Sequence, residues 1–300
     1  MHILLTGGTG MIGQRLCRFW AERGHRLTVL SRDPAQVAAR CGAGVRGVAH
    51  LSELDDDPLD AVVNLAGAPI ADRPWTAARR KLLWASRIGL TEELVAWLGH
   101  RKQRPTVLIS GSAVGWYGDG GQRTLDETCT PVSEDFASQL CIAWEETAER
   151  ARSLGVRVVL VRTGLVLAPE GGMLKRMALP FRLGLGGRLG TGRQWMPWIH
   201  IDDQVALIDF LLNRESADGP YNACAPHPVR NREFVGRLGK ALHRPAVLPM
   251  PGSLLRFMLG EMAGLLTGGQ HAVPARLTEA GFSFRYTELQ TALGDIFRQR

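Results

Sequence analysis

Residues 6–13 read TGGTGMIG, between an apolar run from His2 to Thr6 and an amphipathic stretch from Met11 to Arg23. A buried strand, a glycine turn and a helix in that order open a βαβ unit whose turn can face a phosphate. Gly8, Gly10 and Gly13 fit G-x-G-x-x-G, while Gly7, Gly10 and Gly13 fit G-x-x-G-x-x-G, and both spacings stand. Glycine permits the tight turn and lets the backbone approach a pyrophosphate at the positive end of the helix. Gly7, Thr9, Gly10, Met11, Ile12 and Gly13 are therefore the candidate pyrophosphate-binding residues. A turn without a ligand would not require three glycines at this spacing, each with its entropy cost.

Outward from the loop, apolar runs (Arg26–Ser31, Val45–Ala49, Ala61–Leu65, Val107–Ser110) alternate with helical periods (Ala35–Arg40, Thr76–Leu98). Short continuous apolar strands need crossover helices, so the rhythm predicts an α/β fold: a doubly wound parallel sheet of the Rossmann type, covered on both faces. Gly24 closes the first helix. A long helix over Glu134–Ser153 and a buried strand over Arg157–Leu167 continue the pattern. After about residue 168 glycines and prolines break it. Residues 1–168 are read as the nucleotide-binding domain, with elements between 198 and 225 returning to it, and residues 169–300 mainly as a small C-terminal lobe on the substrate side.

The second strand ends RLTVLSRDP, where an acidic side chain would bind the ribose 2'-hydroxyl of NAD. Ser31 stands there instead, and Arg32 follows. A guanidinium at that point suits the 2'-phosphate, so the expected cofactor is NADP(H). Asp33 before Pro34 reads as a helix N-cap.

Composition excludes other classes. The 45% hydrophobic and 22% charged fractions are those of a folded globular chain, and Gly 35 of 300 residues is high enough to demand close backbone approaches. The net charge of +7 is dispersed, with no basic stripe interleaved with aromatics, so no nucleic acid is expected. Five cysteines (Cys17, Cys41, Cys129, Cys141, Cys224) without a C-x-x-C pair suit reduced thiols, no metal site and a cytoplasmic location. No segment has the uninterrupted apolar length of a membrane helix, and no membrane partner is expected.

TGGTGMIG, VLSR, the NLAG at Asn64–Gly67 and the SGSAVGWYG at Ser110–Gly118 together resemble the extended short-chain dehydrogenase/reductase and epimerase superfamily. PIADRPWTAARRKLLWASRI, GTGRQWMPWIHIDD, YNACAPHPVRNREF and LLTGGQHAVPARLTEAGFSFRY are similar to its YfcH-like epimerase family, across essentially the whole chain. The resemblance implies NADP(H) binding with Leu65, Ala66, Gly67 and Arg87 as further contacts, and a family-specific segment over about 245–300. By switch-point geometry Val166 should flank the nicotinamide. Arg193 and Trp195 are expected to contact substrate, whereas Trp198 reads as core. The superfamily's catalytic serine matches Ser112, but its Tyr-x-x-x-Lys pair falls on Ala137 and Cys141, with Phe136 adjacent. That loss matters because the lysine lowers the tyrosine pKa for proton transfer.

Substitutes for the missing pair are few. Tyr117 could face the cleft, although packing is the stronger expectation, and it stands beside Ser112 as a candidate catalytic residue. Glu134 and Asp135 read as first-turn charges, Cys141 as a buried thiol without an activating His, and His200 as structural, ahead of a helix that Asp202 caps. Two functions remain: an oxidoreductase or epimerase acting on an unidentified small molecule, as monomer or homodimer, and a non-catalytic NADP(H) sensor acting through a protein partner. Some relatives are linked to cell or plastid division.

Overall fold

The computed structural model describes residues 1–133, 135–169 and 171–298; Glu134 lies outside them. Seven strands form one parallel sheet: β1 (His2–Thr6), β2 (Arg26–Leu30), β3 (Arg46–Val48), β4 (Ala61–Asn64), β5 (Val107–Ala113), β6 (Arg157–Thr163) and β7 (Gly219–Ala223), in the order β7-β6-β5-β4-β1-β2-β3. The chain therefore winds one way from β1 to β3 and the other way from β4 to β7. The crossover lies between β1 and β4, with Thr6 opposite Asn64. At such a point the helices leave in opposite directions and open a crevice at the carboxyl ends of the strands.

Both faces of the sheet are covered, as the continuous apolar strands require. Ile3 and Leu5 of β1 pack with Leu16 and Trp20 of α1 (Met11–Ala21) and with Val205, Leu207 and Ile208 of α7 (Ile201–Asn213). Leu4 points the other way, into a core with Leu94 and Leu98 of α4 (Leu90–His100) and Ala148 of α5 (Phe136–Glu149). The lobe has its own core, in which Phe181 of α6 (Gly172–Arg182), Phe234 and Leu238 of α8 (Asn231–Ala241) and Leu293 and Ile296 of the helix Leu289–Arg298 surround the fully buried Trp198. Among the described residues no helix is long and apolar enough to cross a membrane.

Three local expectations are corrected. The apolar run Arg157–Leu167 is not one strand: it breaks at Gly164, and Leu165–Leu167 leaves the sheet to pair with Trp198–His200. Gly164 permits this because a Cβ there would lie 2.7 Å from the Pro197 carbonyl oxygen. The helix expected over Thr76–Leu98 is α3 (Ala77–Trp84) and α4 joined by a π turn over Ala85–Gly89. The cap of α7 is His200, not Asp202: His200 Nδ1 accepts from the Asp202 backbone N–H at 3.1 Å. Asp33 does hold the N-cap position of the short turn Pro34–Gln36, but its carboxylate takes the Gln36 amide at 2.5 Å rather than a backbone N–H.

Candidate functional site

The four glycines of the loop divide by what surrounds them. Gly7 has φ +70°, and a Cβ on it would stand 2.7 Å from the Leu65 carbonyl; one on Gly8 would strike Val29 at 2.6 Å, and one on Gly13 the Gly7 oxygen at 2.4 Å. Packing alone explains these three. Gly10 differs: a Cβ there would meet only the Gly7 oxygen, at 3.2 Å, and otherwise faces open space. Gly10 is also the N-cap of α1, whose first turn carries no side-chain cap and no acid. The amide end of α1 is thus available to an anion, and the cradle that a side chain would fill is at Gly10.

The loop after β4 forms the opposite wall. Thr6 Oγ1 donates to Asn64 Oδ1 at 2.6 Å and accepts from Ala66 N at 3.2 Å, while Ser86 Oγ accepts from Ala68 N at 3.0 Å. Asn64 Nδ2 donates to Thr91 Oγ1 at 2.8 Å, which keeps this buried amide satisfied and ties β4 to α4. Between those anchors lie Leu65, Ala66 and Gly67. The Arg87 guanidinium, on the π turn, lies against Gly67, where a Cβ would stand 2.9 Å from Arg87 Cζ. Its nearest acceptor is the Leu83 carbonyl at 3.5 Å, and burial lowers its pKa.

The remaining cofactor candidates lie past the carboxyl ends of two sheet strands, Val166 after β6 and Ser31 and Arg32 after β2. Val166 is buried in the core that Met11, Ile12 and Leu65 border. Gly171 and Gly172 bring the start of α6 within van der Waals reach of the Met11 thioether. Ser31 Oγ lies at 3.1 Å from the Asp33 carbonyl oxygen. Arg32 is exposed and has no ion-pair partner among the described residues.

At the end of β5 the two candidate catalytic residues are held inward. Ser112 Oγ donates to Glu145 Oε1 at 2.6 Å, and Glu145 is bound by Arg162 through two contacts at 2.9 and 2.8 Å. Arg162 stacks over Trp116 with 3.5 Å from Cζ to the ring centroid and donates to the Tyr117 hydroxyl at 3.1 Å. Tyr117 is 0% exposed, with its hydroxyl 2.9 Å from both Asp126 O and Asn222 Oδ1. Burial raises its pKa to about 12. Its ring is packed in the interior, in line with the stronger expectation for this residue, and its hydroxyl is not turned to the cleft as a catalytic role would need. Ala137 and Cys141 are both buried, and burial, with Glu145 nearby, holds the Cys141 thiol up at about 12. Neither can act as an acid or base near neutral pH.

Trp195 sits in a stack that sequence spacing did not predict. Its ring lies parallel to that of His271, centroids 3.9 Å apart, and the Arg230 guanidinium covers it at 4.1 Å. Trp195 Nε1 is buried without a partner, while Arg193 is exposed. Arg230 and His271 belong to the stretches VRNREF and GGQHAV, yet nothing in their spacing announces that Val229–Arg230 would pair with Trp195–Met196, or that His271, paired through His271–Ala272 with Thr124–Leu125, would stack on Trp195. Thr6 and Asn64 were missed for the same reason. A concavity of about 370 Å³ lined by Asp55, Asp57, Trp97 and Arg101 lies at the other end of the sheet, where β1 and β4 begin.

His200, Asp202 and Asp295 cluster closely enough to suggest a cation site. The cap argues otherwise: Nδ1 accepts from the Asp202 amide, so the neutral ring carries its proton on Nε2, which faces Asp295 Oδ2 at 3.6 Å. Neither nitrogen offers a free lone pair.

Comparison with known proteins agrees with this geometry. Residues 3–224 match the NAD dependent epimerase/dehydratase family, and residues 250–296 a domain of unknown function, DUF1731. The chain is 36% identical over 304 residues to the epimerase family protein YfhF of Bacillus subtilis strain 168, covering 100% of this chain and 99% of that one. Human epimerase family protein SDR39U1 (isoform 2), solved with NADPH, superposes with a TM-score of 0.89 at 34% identity over the full length of both chains. A nucleoside-diphosphate sugar epimerase from Corynebacterium glutamicum gives 0.79 at 28% identity, over 99% of this chain and 58% of that one. The crossover crevice, its glycine loop and the matched sequence place this chain in the NAD dependent epimerase/dehydratase family, among the epimerase family proteins that end in DUF1731.

Proposed function

We propose that this chain binds NADP(H) across the crevice between β1 and β4 and acts as an oxidoreductase or epimerase-type enzyme on a small molecule. The observation that carries the reading is Arg32, exposed and without an ion-pair partner among the described residues, beside Ser31 at the end of β2, while the only acid of that turn, Asp33, is engaged by Gln36. A 2'-phosphate would find a guanidinium there and a ribose diol would find no carboxylate. The NADPH in the human relative supports the same choice. Gly10 and the amides of α1 would hold the pyrophosphate, and Arg87 supplies a fixed positive charge over Gly67. When bound, the cofactor supplies or accepts hydride.

Ser112 directs its O–H as a hydrogen-bond donor to the Arg162-bound Glu145 carboxylate, so toward a ligand its oxygen presents lone pairs. It is suited to accept from a substrate hydroxyl rather than to donate to a carbonyl. With the Trp195 ring taken up by His271 and Arg230, the exposed Arg193 beside it suits an anionic substrate. Bound NADPH fluorescence followed across a panel of carbonyl compounds, and NADP+ reduction across a panel of alcohols, tests the activity. Ser112→Ala should lower turnover about a hundredfold with NADPH affinity unchanged. The second reading is a non-catalytic NADP(H) sensor, favoured by Ala137 and Cys141 in place of the proton-transfer pair and by the pinned Tyr117 hydroxyl. Tight NADPH binding with no turnover in either panel selects it.

A further inference from the structure

Residues 172–193 and 239–260 contain eight lysines and arginines and no aspartate or glutamate, whereas the other 28 basic residues are one short of the 29 acidic ones. The whole positive excess of the chain therefore resides in two segments of the C-terminal lobe. Backbone hydrogen bonds join them: Leu248 N to Gly186 O at 3.0 Å, Met250 N to Arg188 O at 2.9 Å and Gly190 N to Met250 O at 2.8 Å. All eight cations are exposed, and none forms an ion pair among the described residues. The same segments hold nine of the twelve exposed large apolar side chains, including Phe257 at 89%, Val247 at 72% and Leu183 at 68%. In α9 (Gly252–Leu259) only Leu255 is buried, while Leu254, Arg256, Phe257 and Met258 point outward.

An apolar cluster this exposed is unfavourable in water and marks a contact surface. Its chemistry is specific. Nucleic acid would use the cations but leave Phe257 and Leu183 in solvent. A neutral apolar partner would leave Arg182, Arg244 and Arg256 unpaired at its edge. An anionic lipid surface takes both, with apolar side chains at the acyl boundary and cations among the phosphates.

We propose that this face docks on anionic membranes as a peripheral contact, with Leu183, Phe257 and Met258 inserted and Arg182, Arg244 and Arg256 at the headgroups. It is the far end of α6, whose start abuts Met11 beside the glycine loop. The expectation of no membrane partner is thereby replaced by one of binding without spanning.

Flotation of the full chain with phosphatidylcholine vesicles, with and without phosphatidylglycerol, tests the proposal at low and high salt. Binding should require phosphatidylglycerol and weaken with salt. Arg182→Gln and Arg256→Gln should each reduce partitioning about fivefold, and Phe257→Ser and Leu183→Ser each about tenfold, with unchanged unfolding midpoints. Absence of binding to anionic vesicles at low salt would overturn the proposal, as would binding that survives both serine substitutions. A lipid-independent dimer that Phe257→Ser dissociates, without vesicle recruitment, would instead make this face an interface between two copies.

Discussion

Replacing Arg32 by alanine isolates the cofactor reading at one side chain. The guanidinium is exposed and has no carboxylate to release among the described residues, so a 2'-phosphate would gain its full charge-assisted contact. Solvent screens an exposed pair, which places the contribution near the lower end of the usual range, about 1.5 kcal/mol, or roughly tenfold in affinity. Titration calorimetry should show NADPH bound about tenfold more tightly than NADH by the unmodified chain. Arg32→Ala should abolish that difference by weakening NADPH alone, and added salt should narrow the gap. Equal affinities in the unmodified protein, or a variant that loses both cofactors equally, would refute the assignment of Arg32 to the 2'-phosphate.

Gly10→Val should remove NADPH binding while shifting the unfolding midpoint little. Gly7→Val, with its strained φ and backbone 2.7 Å from the new Cβ, should fail to fold, and a soluble, cooperative Gly7→Val would count against this loop geometry. Tyr117→Phe should cost about 1–3 kcal/mol in urea denaturation by stranding buried partners, with NADPH affinity unchanged; a lower affinity would return Tyr117 to the cleft. Arg162→Met leaves Glu145 buried with only the Ser112 hydroxyl against its charge and should cost about 3–5 kcal/mol, much of it recovered in the Glu145→Leu/Arg162→Met double variant. Burial lowers the pKa of His200 below the ordinary 6.5, so the unfolded chain binds its proton first. Stability should be full above pH 6.5 and fall by about 1.4 kcal/mol per pH unit from there down to the lowered value. His200→Asn, which keeps a capping side chain, should flatten that slope, and an unchanged slope would place the titration elsewhere.

The fold was legible because its signal is local: β1, the loop and α1 are contiguous, and β1, β2, β4 and the start of β5 are short apolar runs, whereas β7 (GPYNA) carries no such run. The crevice was legible for the same reason, since Gly10, Arg32 and Gly67 each follow directly on a strand. The inward ends of Ser112 and Tyr117 were not. Their orientation is set by Glu145, Arg162 and Asn222, which lie up to 105 residues away and carry no spacing that links them. The same distance hid the Arg230–Trp195–His271 stack. The loop glycines add a caution, because three of the four are required by packing alone, so spacing overstated how much of the motif belongs to the ligand.

The π turn at Ala85–Gly89 sets two properties of the protein against each other. A helix that gains one residue in a turn gives up regular i to i+4 bonding there, and its downstream face is rotated relative to an uninterrupted helix. Here that extra residue lets Arg87 lean on Gly67 while Thr91, four residues on, still reaches Asn64. Removing one residue from the turn would restore a regular helix through α3 and α4 and swing Arg87 by about 100° away from the crevice. Helical regularity and the Arg87–Gly67 contact would then change in opposite directions, so the imperfect helix is a condition of that contact.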